Sequence, residues 1–143
     1  MNEYKKVERD LRKYKGLKVF VQNAKEQIAL LKQDAQGITA ITYDGAGVKT
    51  NSFYSSVETE VMNREEKIQR LEKKIMKAQE LVDRVDRSLK ILNEIDREIL
   101  ILKYMENQPW FKIASKVNMS ERQCKRKRTE AIERLLPAFF GEK

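Results

Sequence analysis

The sequence predicts an all-α protein: a long antiparallel helical hairpin, coiled-coil-like, followed by a small helix-turn-helix domain. Three observations predict it. The 143-residue chain is 36% charged yet carries only 5 glycines and 2 prolines, which suits long solvated helices better than a packed sheet. Two long stretches carry apolar side chains at steps of three and four. Near the C-terminus a short proline-led segment precedes Ser120-Glu121-Arg122-Gln123, a Ser-x-x-Gln capping box.

The first stretch runs Tyr4, Val7, Leu11, Tyr14, Leu17, Val21, Ala24, Ile28, Leu31 and Ala35. The repeated step of three from Tyr14 to Leu17 sits at Gly16, where a shift of packing face or a break is expected. The second stretch runs Val57, Val61, Arg64, Ile68, Leu71, Ile75, Ala78, Val82, Val85, Leu89 and Leu92, with only Arg64 breaking the apolar rule. At 1.5 Å per residue the two helices are about 48 and 54 Å long. Similar lengths and one connection predict a hairpin. Residues 1–92 are therefore read as a hairpin and oligomerisation region.

The connection, residues 37–56, carries Gly37, Gly45 and Gly47 among Thr, Ser and Asn. It reads as a flexible loop. A short β-hairpin of 38–43 and 48–53 around Asp44-Gly45 is the alternative.

Residues 93–143 read as a separate DNA-binding domain. Asn93 caps a helix with Asp96 three residues on, and Ile95, Ile99, Leu102 and Met105 give its apolar stripe, ending near Glu106 or Asn107. Pro109 opens the next helix at its first turn, and Trp110, Ile113, Ala114 and Val117 share one face. Asn118 tolerates a left-handed exit and Met119 plugs the core beneath the turn. The last helix runs from the capping box to about Leu135 or Leu136, before Pro137, with Cys124, Ala131, Ile132 and Leu135 inward.

Charge is uneven. Residues 1–36 hold 9 basic and 5 acidic side chains, 58–106 hold 11 and 12, and 107–143 hold 9 and 4, within a net charge of +8. The basic ends favour a polyanionic partner. There is no histidine and only Cys124, so the commonest general base and an intrachain disulfide are excluded, and a thiolate zinc site would need carboxylates or another chain. No phosphate-binding glycine loop is present. Neither cofactor nor metal is expected, and the protein reads as no enzyme. The longest aliphatic run is Ile99–Leu102 and no signal-like segment follows Met1, so a cytoplasmic protein without membrane contact is expected.

A short helix, a tight turn and a capped basic helix form the layout whose second helix enters the major groove. The expected DNA-binding residues are Ser120, Glu121, Arg122, Gln123, Lys125, Arg126, Lys127, Arg128 and Thr129. Arg122, Arg126 and Thr129 project outward, with Gln123 and Lys125 on the flanks. Lys127 and Arg128 point partly back over the core edge. Arginine pairs with guanine and glutamine with adenine; the remaining cations meet phosphates. Glu121 either accepts from cytosine or supports the helix start. Cys124 reads as a small core residue. Trp110 is placed in the core by its apolar face, while Phe111 is open between core and base stacking.

Asp96-Arg97-Glu98-Ile99-Leu100, Lys103-Tyr104, Ile113-Ala114, Ser120 and Ala131-Ile132 resemble the promoter-reading helix-turn-helix of bacterial sigma factors. With its helical first half and Gly/Ser-rich centre, the chain resembles the ArpU/RinA-like phage regulators. That resemblance implies a phage or prophage late-gene activator in a bacterial cytoplasm, with Ser120–Arg128 reading DNA. Cys124 and Lys127 stand where sigma-like helices usually carry aliphatic residues. The expected partners are double-stranded DNA, a second copy of the chain and RNA polymerase. The competing expectations are a small terminase subunit and a coiled-coil protein that acts on RNA polymerase without DNA.

Overall fold

The computed structural model describes residues 2–45 and 51–141, with side chains over 2–33 and 63–141. Among the described residues there are no strands. The order is α1 (Glu3–Gly45), α2 (Asn51–Leu89), α3 (Glu94–Leu100) running into a π-wound segment (Ile101–Met105), α4 (Trp110–Val117) and α5 (Glu121–Phe140). No described helix is long and apolar enough to cross a membrane.

Where side chains are described, the stripes read from sequence are the positions that lose solvent; Ala35, Val57 and Val61 lie outside the described side chains. On α1, Val7, Leu11, Val21 and Ala24 are buried and Tyr4, Tyr14, Leu17, Ile28 and Leu31 half-buried. On α2, Ala78, Val82, Val85 and Leu89 are buried, and Arg64, Ile68, Leu71 and Ile75 half-buried. Gly16 does not break α1. The stripe shifts face there while the backbone stays helical, and the glycine lies exposed with nothing within 4 Å of where a Cβ would stand. Gly16→Ala is therefore expected to raise stability by about 0.5–1 kcal/mol, seen as a higher melting temperature by circular dichroism. A lower melting temperature would show that the glycine carries a backbone requirement that its surroundings do not reveal.

The connection is shorter than expected. α1 runs through Gly37 to Gly45 and α2 begins at Asn51, so both arms of the alternative β-hairpin are helical wherever they are described; 46–50 lie outside the described residues. A single glycine inside a long helix costs only about 1 kcal/mol relative to alanine, too little to stop a helix already propagating.

The packing forms two units, Met1–Lys18 with Gln79–Lys143, and Val19–Ala78. The sequence-based division at residue 92 therefore separates segments that share a core. In the first unit Val7 and Leu11 of α1 pack with Val85 and Leu89 of α2, Leu92, Leu100, Tyr104, and Ala131, Ile132 and Leu135 of α5. The pairing of Tyr14 with Asp86, its hydroxyl donating to Asp86 Oδ1 at 2.5 Å, fixes the register of α1 on α2. Burial and that bond raise the Tyr14 phenol's pKa.

The turn after α2 is closed by a side chain. Arg97 donates from Nε to the Leu89 carbonyl at 3.0 Å and from Nη2 to the Leu92 carbonyl at 2.9 Å. It gives the Leu89 carbonyl, which also accepts from the Leu92 N–H at 3.2 Å, a second donor, and ties the Leu92 carbonyl of the turn to α3. Asn93 caps α3 as expected, its Oδ1 accepting from the Asp96 backbone N–H at 2.8 Å.

The apolar stripe of α3 departs from expectation. Ile95 is exposed, whereas Leu100 and Tyr104 are buried. α3 has two cores to serve, Leu100 and Tyr104 facing one and Ile99 and Leu102 the other. The π turn, in which the Glu106 N–H reaches the Ile101 carbonyl at 2.9 Å, changes the angular spacing between those positions.

α5 also continues through Pro137 to Phe140, four to five residues past its expected end. Proline sacrifices one backbone bond there, while half-buried Leu136 and Phe139 pack on the main core and hold the helix in place.

Candidate nucleic-acid interface

α4 and α5 are joined by two residues whose conformations follow from their type. Asn118 takes the left-handed conformation, φ 56° and ψ 47°, and its N–H closes onto the Ala114 carbonyl. The Met119 N–H bonds the same carbonyl at 3.1 Å, and its side chain packs beside Ile113, Cys124, Ile99 and Leu102. Pro109 stands at the N-cap of α4, one position before its expected place in the first turn, with extended backbone. Ala114 and Val117 of α4 pack on the same small core, so the α4–α5 crossing is built on short side chains.

Ser120 caps α5. Its Oγ accepts from the Gln123 N–H at 3.1 Å, and its own N–H donates to Gln123 Oε1 at 3.2 Å. The box leaves Gln123 with its carbonyl oxygen occupied. Bidentate pairing to adenine requires both amide atoms, so Gln123 would have to open the cap to read a base in that way.

Inward, Cys124, Ala131, Ile132 and Leu135 are fully buried. The Cys124 thiol is free, and burial together with the Glu121 charge raises its pKa. Outward, Glu121, Arg122, Gln123, Lys125 and Arg126 are exposed. Lys112 and Lys116 of α4 are exposed as well, and Phe111 is 63% exposed, so it is not a core residue.

The remaining expected residues are engaged by the protein itself. Lys127 Nζ stands 3.9 Å from Asp96 Oδ1. The Thr129 hydroxyl donates to the Lys125 carbonyl at 3.1 Å. Arg128 Nη1 donates to the Tyr104 hydroxyl at 3.3 Å, and its guanidinium lies 5.1 Å from the centre of the Trp110 ring. The outward set is therefore Arg122, Lys125 and Arg126 with Glu121 and Gln123 beside them, while Lys127, Arg128 and Thr129 form its inner border.

Two features of this border carry no clear signal in the sequence. Tyr104 is buried, and its hydroxyl donates to Glu8 Oε2 of α1 at 2.6 Å. Burial and that carboxylate raise the phenol's pKa strongly, which keeps it a neutral donor. Trp110 is half-buried against the small core, with Lys103 Nζ 4.8 Å and Lys125 Nζ 5.9 Å from its ring centre in addition to Arg128. An apolar stripe predicts the core contact of Trp110 but not the cations around it, which come from three separate positions in the chain. Among the described residues, no group of three or more His, Cys, Asp or Glu is placed to hold a metal ion.

The sequence matches the family described as "Protein of unknown function (DUF722)" over residues 4–137, and the chain belongs to that family. No match is found among curated proteins or among solved structures.

Proposed function

We propose that this member of the DUF722 family is a non-enzymatic, DNA-binding regulator of transcription that reads the major groove with the N-terminal half of α5. The observation that carries the reading is the outward display of Arg122, Lys125 and Arg126 on a capped helix whose opposite face is locked into the core. Rigid presentation of charge at the start of a second helix is what groove entry requires. Lys112 and Lys116 on α4 are available to phosphates on either side of the groove. The likeness to sigma-type helices and to ArpU/RinA-like regulators supports the finer reading, an activator of phage or prophage late genes that works in the bacterial cytoplasm.

Titrating labelled duplex DNA with the protein at two salt concentrations tests this. Tight binding that weakens steeply with salt is expected. Arg122→Ala with Arg126→Ala is expected to lower affinity at least tenfold at physiological salt, since each well-placed base contact is worth about 1–3 kcal/mol. Undiminished binding by the double variant would remove α5 as the reading element.

In the second unit Ile68, Leu71 and Ile75 are only half-buried and Leu30 and Met76 are exposed. This surface supports self-association through the seam. It also supports a second reading, an interaction protein that acts on RNA polymerase; polymerase capture with no duplex affinity would favour that reading over the first.

A further inference from the structure

We infer that the first turns of α1 form a second phosphate-contacting track, which grips the duplex backbone beside the segment read by α5. The inference rests on the DNA-binding reading above and extends its site to the opposite end of the chain.

Lys5, Arg9, Arg12 and Lys13 are all exposed. At 100° per residue they fall within an arc of about 100° on one side of the helix. They line, with Glu8, a shallow concavity of about 540 Å³. Among the described residues the one carboxylate in ion-pair range of these four cations is Asp10, 3.7 Å from Arg9 Nε. Glu8, the other acid on this side, is turned inward to the Tyr104 hydroxyl.

The track is continuous with the α5 surface through a ladder of cations and rings inside the first unit. The Arg12 guanidinium lies 5.2 Å from the centre of the Tyr104 ring. The Tyr104 hydroxyl holds Arg128, Arg128 lies against Trp110, and Lys125 closes the ladder at the edge of the reading face. Cations stacked on rings are held in place and shed less freedom when they bind. From Lys5 to Lys13 the helix rises about 12 Å, the axial length of duplex over which one strand presents three to four charges at about 3.4 Å of axis each. Of the four, Arg9 has one acidic neighbour and Arg12 a ring to rest on, whereas Lys5 and Lys13 have no carboxylate within ion-pair range among the described residues. A polyanion beside α5 gives them a use.

Phosphate contacts set affinity and salt dependence without setting sequence preference. The test compares the parent protein, a variant with Lys5, Arg9, Arg12 and Lys13 all changed to Gln, and the Arg122→Ala, Arg126→Ala variant. Each is titrated with labelled G·C-rich and A·T-rich duplexes over a range of salt. The α1 variant is expected to bind both duplexes at least tenfold more weakly. Its slope of log affinity against log salt should be shallower by about three to four, since four phosphate contacts are lost and each is worth about 0.9. The ratio between the two duplexes should stay unchanged, whereas the α5 variant shifts that ratio.

An α1 variant with the parent slope and affinity overturns the track and leaves the α5 reading intact. A parent with no duplex affinity overturns both. Parental binding to phosphatidylserine vesicles that the α1 changes abolish, with duplex binding untouched, assigns the surface to a membrane and also overturns the inference. Should the fourfold variant melt well below the parent, Lys5→Gln with Lys13→Gln, which leaves the Arg12–Tyr104 stack alone, is expected to lower the slope by one to two; an unchanged slope overturns the track.

Discussion

Replacing Leu11 with alanine is expected to cost about 3–4 kcal/mol and to abolish duplex binding under mildly destabilising conditions, although Leu11 lies more than a hundred residues from Arg122 in sequence. Leu11 is fully buried and shares one cluster with Val85, Leu100, Tyr104, Ile132 and Leu135. Removing three of its side-chain carbons loses their transfer free energy and leaves a cavity bordered by side chains from four elements. α5 cannot collapse into that cavity without moving its outer face. Urea unfolding followed by circular dichroism reads the cost directly. A companion experiment bears on the domain division: the fragment 93–143 is expected to lose most of its helical signal in isolation, because Val7, Leu11, Val85 and Leu89 are missing from its core. A fragment that folds and melts cooperatively would restore the boundary at 92, and a loss below about 1 kcal/mol for Leu11→Ala would show that α1 is peripheral to the reading unit.

The second large effect is expected at Asp96. This side chain is buried at the start of α3, and its carboxylate reaches α5 twice, with Arg134 Nη1 3.6 Å from Oδ2 and Lys127 Nζ 3.9 Å from Oδ1. Asn93 Nδ2 donates to Oδ2 at 3.2 Å, while Oδ1 has no hydrogen-bond partner and is held by charge alone. Asp96→Ala leaves two cations unpaired, but both retain solvent access, at 35% for Lys127 and 58% for Arg134. The cost is therefore about 2 kcal/mol rather than the 3–5 kcal/mol of a fully buried orphan. Asp96→Asn keeps the shape and removes the charge, and it separates the two contributions. If Asp96→Asn is as stable as the parent, the ion pairs contribute nothing and the role of Asp96 is that of the cap alone.

Much of this architecture is legible in the sequence because it follows from local rules. The 3-4 stripes of α1 and α2 report which positions lose solvent, since a helix this charged has only one face to bury. Asn93, Asn118, Ser120 and Gln123 are turn and cap residues with one sensible use at their spacing, and each is found in it. What is not legible is non-local. α3 is buried on two sides, so a single-stripe reading misplaces Ile95 and misses Leu100 and Tyr104. The Glu8–Tyr104–Arg128 chain joins residues 96 and 24 positions apart. Arg97, read only as part of a family-like run, closes the turn after α2. Pro137 and Gly37 are helix breakers by propensity, yet the helices pass through both, because packing and propagation outweigh one unfavourable residue.

The outward face of α5 is legible for the same local reason: once the capping box fixes the first turn, the angle of every later residue follows. Its division into a free set and a tethered set is not, because Asp96, Tyr104 and Trp110 approach from elsewhere in the chain.

Selection of bound duplexes from a random pool tests the central claim most directly. The account predicts enrichment of a defined site containing guanines, and loss of the preference at those guanines when Arg122 and Arg126 are replaced by alanine. A pool that emerges without any preferred sequence, or a preference that the double variant keeps unchanged, would contradict it.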